Sequence, residues 1–357
     1  MKHYCAIFTC LCLVLWLVYG CVLSGTGSAD LEAAGEEEFA SETSDEEENE
    51  DAEESIPEPE AAEFISGKFI TETEIEFEFS MPVNVLNLSF EPSIEVGSVE
   101  SGSTVKVSLE QAPEPAIKIE AGFKVEDEWG NVINMEIQLI SRNNSVPQLL
   151  INELRTEYSN PRTEFIELKM LTGGNLGAVR VFAASNSSSS MIYQFEPVET
   201  AAGEYVVLHL RTLEDTCIDE YGPGLDESGG RDSSPLARDF WIPGSAKLLR
   251  KTDAVYLLDQ DDNVLDAVML SETPDPAWAK DYFTEIAEFL FLKDAWKSPV
   301  GAVSCPADAV DSSAVKTAVT RSVSRDEAVE NSHTAADWYV TATGGASPGM
   351  ENDPTRF

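Results

Sequence analysis

The chain has 357 residues, and its 65 acidic against 23 basic residues give a formal net charge of −42 at pH 7. A field of this sign repels phosphate backbones, which excludes nucleic-acid binding through phosphate neutralisation as a function. The length is enough for two ordinary domains after a leader and a polar segment are set aside.

The first twenty residues have the order of a secretory signal peptide. Lys2 precedes an apolar run over residues 5–18, and Gly20 stands directly before Cys21. A small residue before cysteine resembles the lipobox of bacterial lipoproteins, in the looser form of spirochaetes because Tyr19 is larger than the strict pattern accepts. The resemblance implies that residues 1–20 are cleaved off and that Cys21 carries fatty acids such as palmitate.

This resemblance also implies a location. It predicts a protein anchored to the cell membrane by lipid, facing the periplasm or exposed at the outer-membrane surface, with acylated Cys21 as its contact with membrane lipid. A retained transmembrane helix over residues 5–23 is the alternative, because its length is close to the minimum of about 17 residues. The small residue before Cys21 and the polar sequence after it favour the lipoprotein.

An acidic segment follows Cys21. No Lys or Arg occurs between Lys2 and Lys68, and the interval is rich in Glu and Asp. Its apolar surface is too small to offset the entropy cost of ordering, so the sequence predicts a disordered acidic tether over residues 21–63. Such a tether would hold the following residues away from the lipid surface.

Residues 64–143 have the alternation of β-strands. Apolar and polar side chains alternate at residues 74–79 and 105–109, as in half-buried antiparallel strands. The stretches FEFSMPV at 77–83 and VEDEWGNV at 125–132 resemble a strand and the closing hairpin of bacterial Ig-like domains. The resemblance implies a small β-sandwich that acts as a spacer or adhesion module without enzyme activity.

A second β-rich block follows a linker at residues 143–147. It carries six short motifs in chain order: INE at 151–153, EFIEL at 164–168, GEYVVL at 203–208, DQDDNVLD at 259–266, SVSR at 322–325, and DW at 337–338 with SPG at 347–349. Their order resembles the lamin-tail domain, an Ig-like β-sandwich found in nuclear lamins and secreted bacterial proteins. The resemblance implies a binding or targeting module over residues 148–352, because this domain accompanies catalytic domains in that family without being catalytic.

One segment departs from a plain sandwich. Apolar residues spaced for one helical face run through residues 279–296, which predicts an inserted amphipathic helix packed on the sandwich edge. A helix lying on the membrane is the alternative, but Glu285 and Glu288 on its polar face are unsuited to an anionic surface. The sequence therefore predicts an all-β protein with two Ig-like β-sandwiches in tandem, the second carrying this helix.

Metal and disulfide sites have weak signals. Asp259, Asp261 and Asn263 are candidate Ca²⁺ ligands, but an ordinary polar hairpin turn explains them better, because an EF-hand's glycine and distal glutamate are missing. The acidic loop at residues 215–227 is a second Ca²⁺ candidate, for which a solvated loop is again the simpler interpretation. No cofactor is predicted. Cys217 and Cys305 are compatible with a disulfide and equally with two free thiols.

The sequence offers no catalytic set. Glu153, Glu164 and Glu167 lie on neighbouring strands, where we expect them to face solvent or pair with an arginine such as Arg155 rather than act as acid and base. His209 lies mid-strand, and no histidine-based triad is predicted from it. A non-enzymatic protein follows from this interpretation.

The long loop before residue 241 is the predicted contact surface. Tyr221, Phe240 and Trp241 would supply aromatic contact area and Asp226 a carboxylate, for a basic or Ca²⁺-bridged partner that is an unknown protein or an envelope polymer. The sequence thus favours a membrane-anchored envelope lipoprotein that binds through its lamin-tail domain. The competing class is a secreted hydrolase, Ca²⁺-dependent in one form, that uses the loop at 211–240.

Overall fold

The computed structural model describes residues 60–184, 187 and 190–357. The predicted signal peptide, Cys21 and all but the last residues of the predicted tether lie outside the described residues. The structure is mostly β, with 39% strand and 7% helix, which confirms the all-β class.

The first β-block is built around one very long strand. Its antiparallel strands are β1 (Phe64–Phe69), β2 (Glu74–Glu91), β3 (Val96–Glu100), β4 (Gly102–Leu109), β5 (Lys118–Asp127) and β6 (Val132–Ile140). The first half of β2 pairs with β1 and β4, and its second half pairs with β5. The strand order β3-β4-β2-β5-β6 results. Alternate residues such as Phe77, Val105 and Phe123 fill one buried core, as their period of two predicts.

The second β-block has two large sheets. Its strands are β7 (Leu149–Arg155), β8 (Phe165–Met170), β9 (Gly174–Asn175), β10 (Arg180–Ala183), β11 (Met191–Gln194), β12 (Glu199–Thr200), β13 (Tyr205–His209), β14 (Arg238–Trp241), β15 (Asp253–Leu258), β16 (Val264–Ser271), β17 (Val310–Asp311), β18 (Val323–Arg325) and β19 (Trp338–Val340). One sheet has the order β11-β10-β15-β16-β17 and the other β14-β13-β8-β7-β18-β19, while β9 pairs with β12. Both large sheets contribute to one apolar core, as in a sandwich.

A single α-helix is inserted between β16 and β17 in the described part of the chain. Helix α1 (Asp281–Leu292) buries Phe283, Ile286 and Leu290 in the core of the second β-block. Glu285 and Glu288 are exposed on its other face. The predicted packing of this helix on the sandwich is therefore confirmed. Among the described residues, none of the helices has the length and apolar character needed to span a membrane.

The same turn closes one hairpin in each β-block. Between β5 and β6, Asp127 Oδ1 accepts hydrogen bonds from the backbone N–H groups of Trp129 and Asn131, both at 2.9 Å. Between β15 and β16, Asp259 Oδ1 accepts from the N–H of Asp261 at 2.8 Å and of Asn263 at 2.9 Å. The shared D-x-x-x-N spacing thus specifies a side-chain-closed turn.

The linker between the two β-blocks is fixed by hydrogen bonds. Asn143 is buried, and its Nδ2 donates to the carbonyl oxygens of Asn175 and Gly177, each at 2.8 Å. Gln260 Oε1 accepts from the N–H of Asn143 at 2.7 Å, and its Nε2 donates to the carbonyl of Ser141 at 2.9 Å. The linker is therefore part of the packed structure rather than a free joint.

Candidate functional site

The outer face of the sheet that contains β7 and β8 is polar and buried. On β8, Ile166 and Leu168 enter the apolar core, whereas Glu167 lies on the opposite face and is also fully buried. The loop between β13 and β14 and the segment after β19 cover this face. Acid–base groups on this face are therefore removed from solvent.

Two glutamates lie directly opposite each other on this face. Glu153 on β7 pairs in register with Glu167 on β8, and both side chains are fully buried. The N–H of Ser347 donates to both oxygens of Glu153 at 3.1 Å, and the N–H of Gly349 donates to Glu167 at 2.6 Å. Burial raises the pKa of both carboxyls, and the charge of Glu153 raises that of Glu167 further.

The third glutamate forms a buried ion pair. Glu164 accepts hydrogen bonds from Arg211 Nε at 2.6 Å and Arg211 Nη2 at 2.5 Å, while Arg155 pairs with Asp232 instead. The expectation that Glu153 and Glu167 face solvent or pair with an arginine was wrong, because loop and tail residues cover this sheet face.

An ion pair also joins the two large sheets. Asp266 on β16 accepts from Arg325 Nη2 on β18 at 2.6 Å and from the N–H of Ile151 on β7 at 2.7 Å. Arg325 Nε donates to the carbonyl of Ile151 at 2.8 Å, and the guanidinium lies over the Trp338 ring at 4.5 Å. Five of the six motifs therefore meet in one buried network: INE, EFIEL, DQDDNVLD, SVSR, and DW with SPG. These motif residues hold the fold together.

His209 lies in a chain of hydrogen-bonded side chains that the sequence analysis did not predict, and we call it the histidine chain. His209 Nε2 lies 2.8 Å from Asp239 Oδ1, and His209 Nδ1 lies 3.0 Å from Thr163 Oγ1. Burial lowers the pKa of His209 to about 3 and raises the pKa of Asp239 to about 7, so the imidazole is neutral at pH 7. The connectivity matches an orienting acid, a base and a hydroxyl, but all three residues are inaccessible to solvent. In this structure the three side chains therefore hydrogen-bond in a row and are closed off from solvent.

Buried polar groups also fix the long loop between β13 and β14. Glu220 is fully buried and accepts from the backbone N–H groups of Glu227 at 2.9 Å, Ser228 at 2.9 Å and Asp239 at 2.8 Å. Arg238 Nη1 donates to the carbonyl of Glu220 at 2.8 Å. Both the solvated-loop interpretation and its weaker Ca²⁺ alternative were wrong for Glu220, because its buried carboxylate accepts hydrogen bonds from three backbone N–H groups.

The same loop presents a groove of about 580 Å³ on the surface. Ile218 and Tyr221 are 48% and 46% exposed there. Asp219 accepts from the N–H of Trp241 at 2.7 Å and from the hydroxyl of Tyr221 at 3.2 Å. Burial raises the pKa of Asp219 and raises that of Tyr221 to about 12. The remaining lining residues are Thr212, Cys217, Trp241, Pro243 and Gly244.

Two of the predicted contact residues, Phe240 and Trp241, have buried side chains. Phe240 is fully buried in the sandwich core and Trp241 is 4% exposed. Trp241 stacks on His209 with ring centroids 3.8 Å apart, and its indole N–H donates to Ser228. The predicted contact role was wrong for Phe240, which the core encloses, whereas Trp241 lines the groove and Tyr221 and Asp226 remain exposed. Asp219, which was predicted only as part of the acidic loop at residues 215–227, also lines the groove.

The weak Ca²⁺ candidates in the turn between β15 and β16 have other partners. Asp259 closes its own turn, and Asp261 accepts from Arg142 at 2.8 and 2.5 Å. Within the described ranges, no group of three or more His, Cys, Asp or Glu side chains could hold a metal ion. The Ca²⁺ candidates at Asp259, Asp261 and Asn263 therefore form a polar turn. Cys217 and Cys305 are both free thiols, so the predicted alternative of a disulfide is not formed.

The fold and this network define an all-β protein whose second block is a sandwich held by buried carboxylates. Residues 147–340 match the family described as TP_1001_2nd, protein second domain, and the chain therefore belongs to this family.

Two further proteins are similar to the chain. An uncharacterized protein of Treponema pallidum (strain Nichols) is 28% identical over 169 residues, which is 44% of this chain and 42% of that relative. The chain thus matches less than half the length of the relative. A solved DUF4876 family protein from Bacteroides thetaiotaomicron has 12% identity and a TM-score of 0.26, over 72% of this chain and 90% of that one.

Proposed function

We propose that this protein is a lipid-anchored binding module of the bacterial cell envelope. In this proposal Cys21 carries the lipid, the acidic tether spaces the body from the membrane, and a lamin-tail domain over residues 148–352 presents the groove. The single observation that carries the proposal is the groove at Tyr221. It displays exposed apolar side chains on a loop that buried Glu220 and Arg238 hold rigid.

The lamin-tail assignment is supported by where its motifs lie. A family pattern that specifies a fold should consist of residues that hold the fold together. The motif residues Glu153, Glu167, Asp266 and Arg325 are all buried and hydrogen-bonded to one another's segments. The surface that distinguishes one such domain from another is then left to the loops.

The chemistry of the groove indicates the kind of partner. Ile218, Tyr221 and Pro243 give apolar and aromatic contact area, and Tyr221 offers a hydroxyl already positioned by Asp219. A second apolar pocket of about 370 Å³ shares Pro243 and extends the surface towards Met191. Because exposed Asp215, Asp226 and Glu227 border the loop, we propose a partner that presents basic residues around an apolar anchor.

Substitution of Tyr221 tests the groove. Three proteins are displayed on intact cells and cross-linked to neighbouring molecules: the wild type, Tyr221→Ala and the control Leu236→Ala. The control removes an exposed side chain from the same loop outside the groove. We expect one cross-linked species with wild type and the control, its loss with Tyr221→Ala, and weakening at high salt. A species that Tyr221→Ala leaves unchanged contradicts the proposal, as does ester, phosphodiester or peptide hydrolysis that this substitution abolishes.

Substitution of Cys21 tests the anchor separately. Cys21→Ala should abolish incorporation of labelled palmitate and release the protein from the detergent phase, because only the thiol can carry the diacylglycerol. Cys217→Ala is the control, since that residue is a free thiol in the folded body. Unchanged detergent partitioning of Cys21→Ala would favour the retained-helix alternative.

A further inference from the structure

A concave surface lies between the two β-blocks. It encloses about 720 Å³, within the range of roughly 300–1,000 Å³ typical of ligand clefts. The first β-block contributes residues 67–70 and 138–140, and the second contributes Ala178, Arg180, Gln194 and residues 260–262. Arg142 of the linker completes the lining. We call this surface the interblock groove.

Hydrogen bonds across the linker fix the shape of the interblock groove. Asn143 and Gln260 bind the linker to the second β-block, as described above. Lys118 of β5 adds an ion pair to Glu196 at 2.6 Å, which also crosses from one β-block to the other. A preformed cleft avoids much of the ordering cost that a flexible site would meet on binding.

The charge of this groove differs from that of the whole chain. Lys68, Arg142 and Arg180 face two lining carboxylates, Asp261 and Asp262, which leaves a formal charge of +1 in a chain of net charge −42. Arg142 is held by Asp261 at 2.5 Å and Arg180 by Asp262 at 2.7 Å. Lys68 takes part in none of the ion pairs among the described residues. The positive charge that can meet a ligand is thus that of Lys68.

The remaining lining groups suit a hydroxyl-rich ligand. Gln138 and Gln194 each present an amide that can donate and accept, and the paired carboxylates of Asp261 and Asp262 stay 48% and 70% exposed as acceptors. Half-buried Ile70 and Ile140 add apolar surface. A hydroxyl group needs both a donor and an acceptor near it, and a sugar ring also has an apolar face.

We propose that the interblock groove binds a saccharide that carries a carboxylate. Lys68 pairs with the carboxylate, and the glutamine amides together with Asp261 and Asp262 bind the hydroxyls. The site requires both β-blocks, because neither one supplies Lys68 and Gln194 together. This inference is independent of the groove at Tyr221, which lies in a different part of the second β-block.

Calorimetric titration of the purified full chain tests this site. The probe is a hyaluronan tetrasaccharide, which alternates glucuronate with N-acetylglucosamine, and chitotetraose is the neutral comparison. We expect saturable binding of the acidic probe, and three- to tenfold weaker binding both for Lys68→Gln and for the neutral probe. Gln194→Ala should weaken both probes, because hydroxyl recognition is common to them.

Lys124→Gln is the matched control. Lys124 is an exposed lysine on β5 outside the groove, opposite Asn87 and Asn134, so its loss changes the total charge equally without touching the site. Both lysine variants should melt like the wild type, since both side chains are exposed. The proposal is overturned if the acidic probe does not bind, if Lys68→Gln binds the probe as tightly as Lys124→Gln, or if sodium acetate at equal concentration displaces the probe.

Discussion

Substituting Arg325 by leucine should destabilise the second β-block severely. The change removes the guanidinium from Asp266, from the carbonyl of Ile151 and from Asn331, and it removes the contact with the Trp338 ring. The larger effect is on the carboxylate of Asp266, which is 2% exposed and is left without its charge partner. Breaking a buried ion pair on one side costs about 3–5 kcal/mol. In a unit of this size that lowers the melting temperature by on the order of 10 °C.

Circular dichroism melting and urea unfolding of the full chain measure this loss. Arg356→Leu is the matched control, since it breaks an exposed ion pair with Asp326 and should cost less than about 1 kcal/mol. The double change Arg325→Leu with Asp266→Leu should recover much of the stability, because no uncompensated charge is then buried. If Arg325→Leu destabilises the protein no more than Arg356→Leu does, the ion pair between Arg325 and Asp266 does not hold the two sheets together.

The pH dependence of the same variant has a definite sign. Burial raises the pKa of Asp266, and Arg325 is the main group that lowers it. Removing Arg325 raises the folded-state pKa further above the unfolded value, so the folded variant gains protons as the pH falls. The penalty is therefore largest above the folded-state pKa and shrinks as the pH falls through it. A penalty that stays constant from pH 8 to pH 5 would contradict the assignment to an unpaired carboxylate.

Two further substitutions probe the buried network and the linker. Glu167→Gln should leave the protein at least as stable at pH 8 and flatten the dependence of its stability on pH. The reason is that the raised pKa of this carboxyl makes wild-type stability decline as the pH rises through it. Glu74→Gln is the exposed control, and a pH profile of Glu167→Gln as steep as the wild-type profile would refute this. Asn143→Ala should lower the free energy of unfolding in urea by about 2–4 kcal/mol, because the carbonyls of Asn175 and Gly177 lose their donor. The control Asn144→Ala changes an exposed neighbour and should have little effect. Equal losses of stability would show that Asn143 does not fix the linker.

The sequence predicted where strands and the helix lie better than it predicted which polar sheet faces are buried. Alternation located the strands of the first β-block, and the helical spacing of Phe283, Ile286 and Leu290 located α1. Both patterns depend on one apolar face, which the sequence shows directly. The sheet face that carries Glu153 and Glu167 is buried, but its polar side chains give it the sequence pattern of an exposed face. The residues that cover it, such as Ser347 and Gly349, lie far along the chain, so the local sequence does not indicate this burial.

The candidate site shows the same limit. Phe240 and Trp241 were taken for loop residues, although Arg238–Trp241 is the edge strand β14, which pairs in parallel with β13. In a strand, alternate side chains point to opposite faces, which places Asp239 on the same face of the sheet as His209. Recognising this strand in the sequence would therefore have indicated the hydrogen bond between the two side chains. The role of Asp219 in positioning Tyr221 could not be inferred, because it depends on the N–H of Trp241 approaching from another strand.

The hydrogen bonds from the chain's last residues have a consequence for the order of folding. Ser347, Gly349 and Asn352 donate to residues 194, 182 and 200 positions earlier in the sequence. Contacts of such sequence separation form late and slow the folding of a β-protein. Until they form, the acceptors on Glu153, Glu167 and Asn152 need water, so the sheet face that holds them cannot close. The second β-block therefore reaches its native state only after its final residues have been synthesised, and removing those residues would impair the whole block.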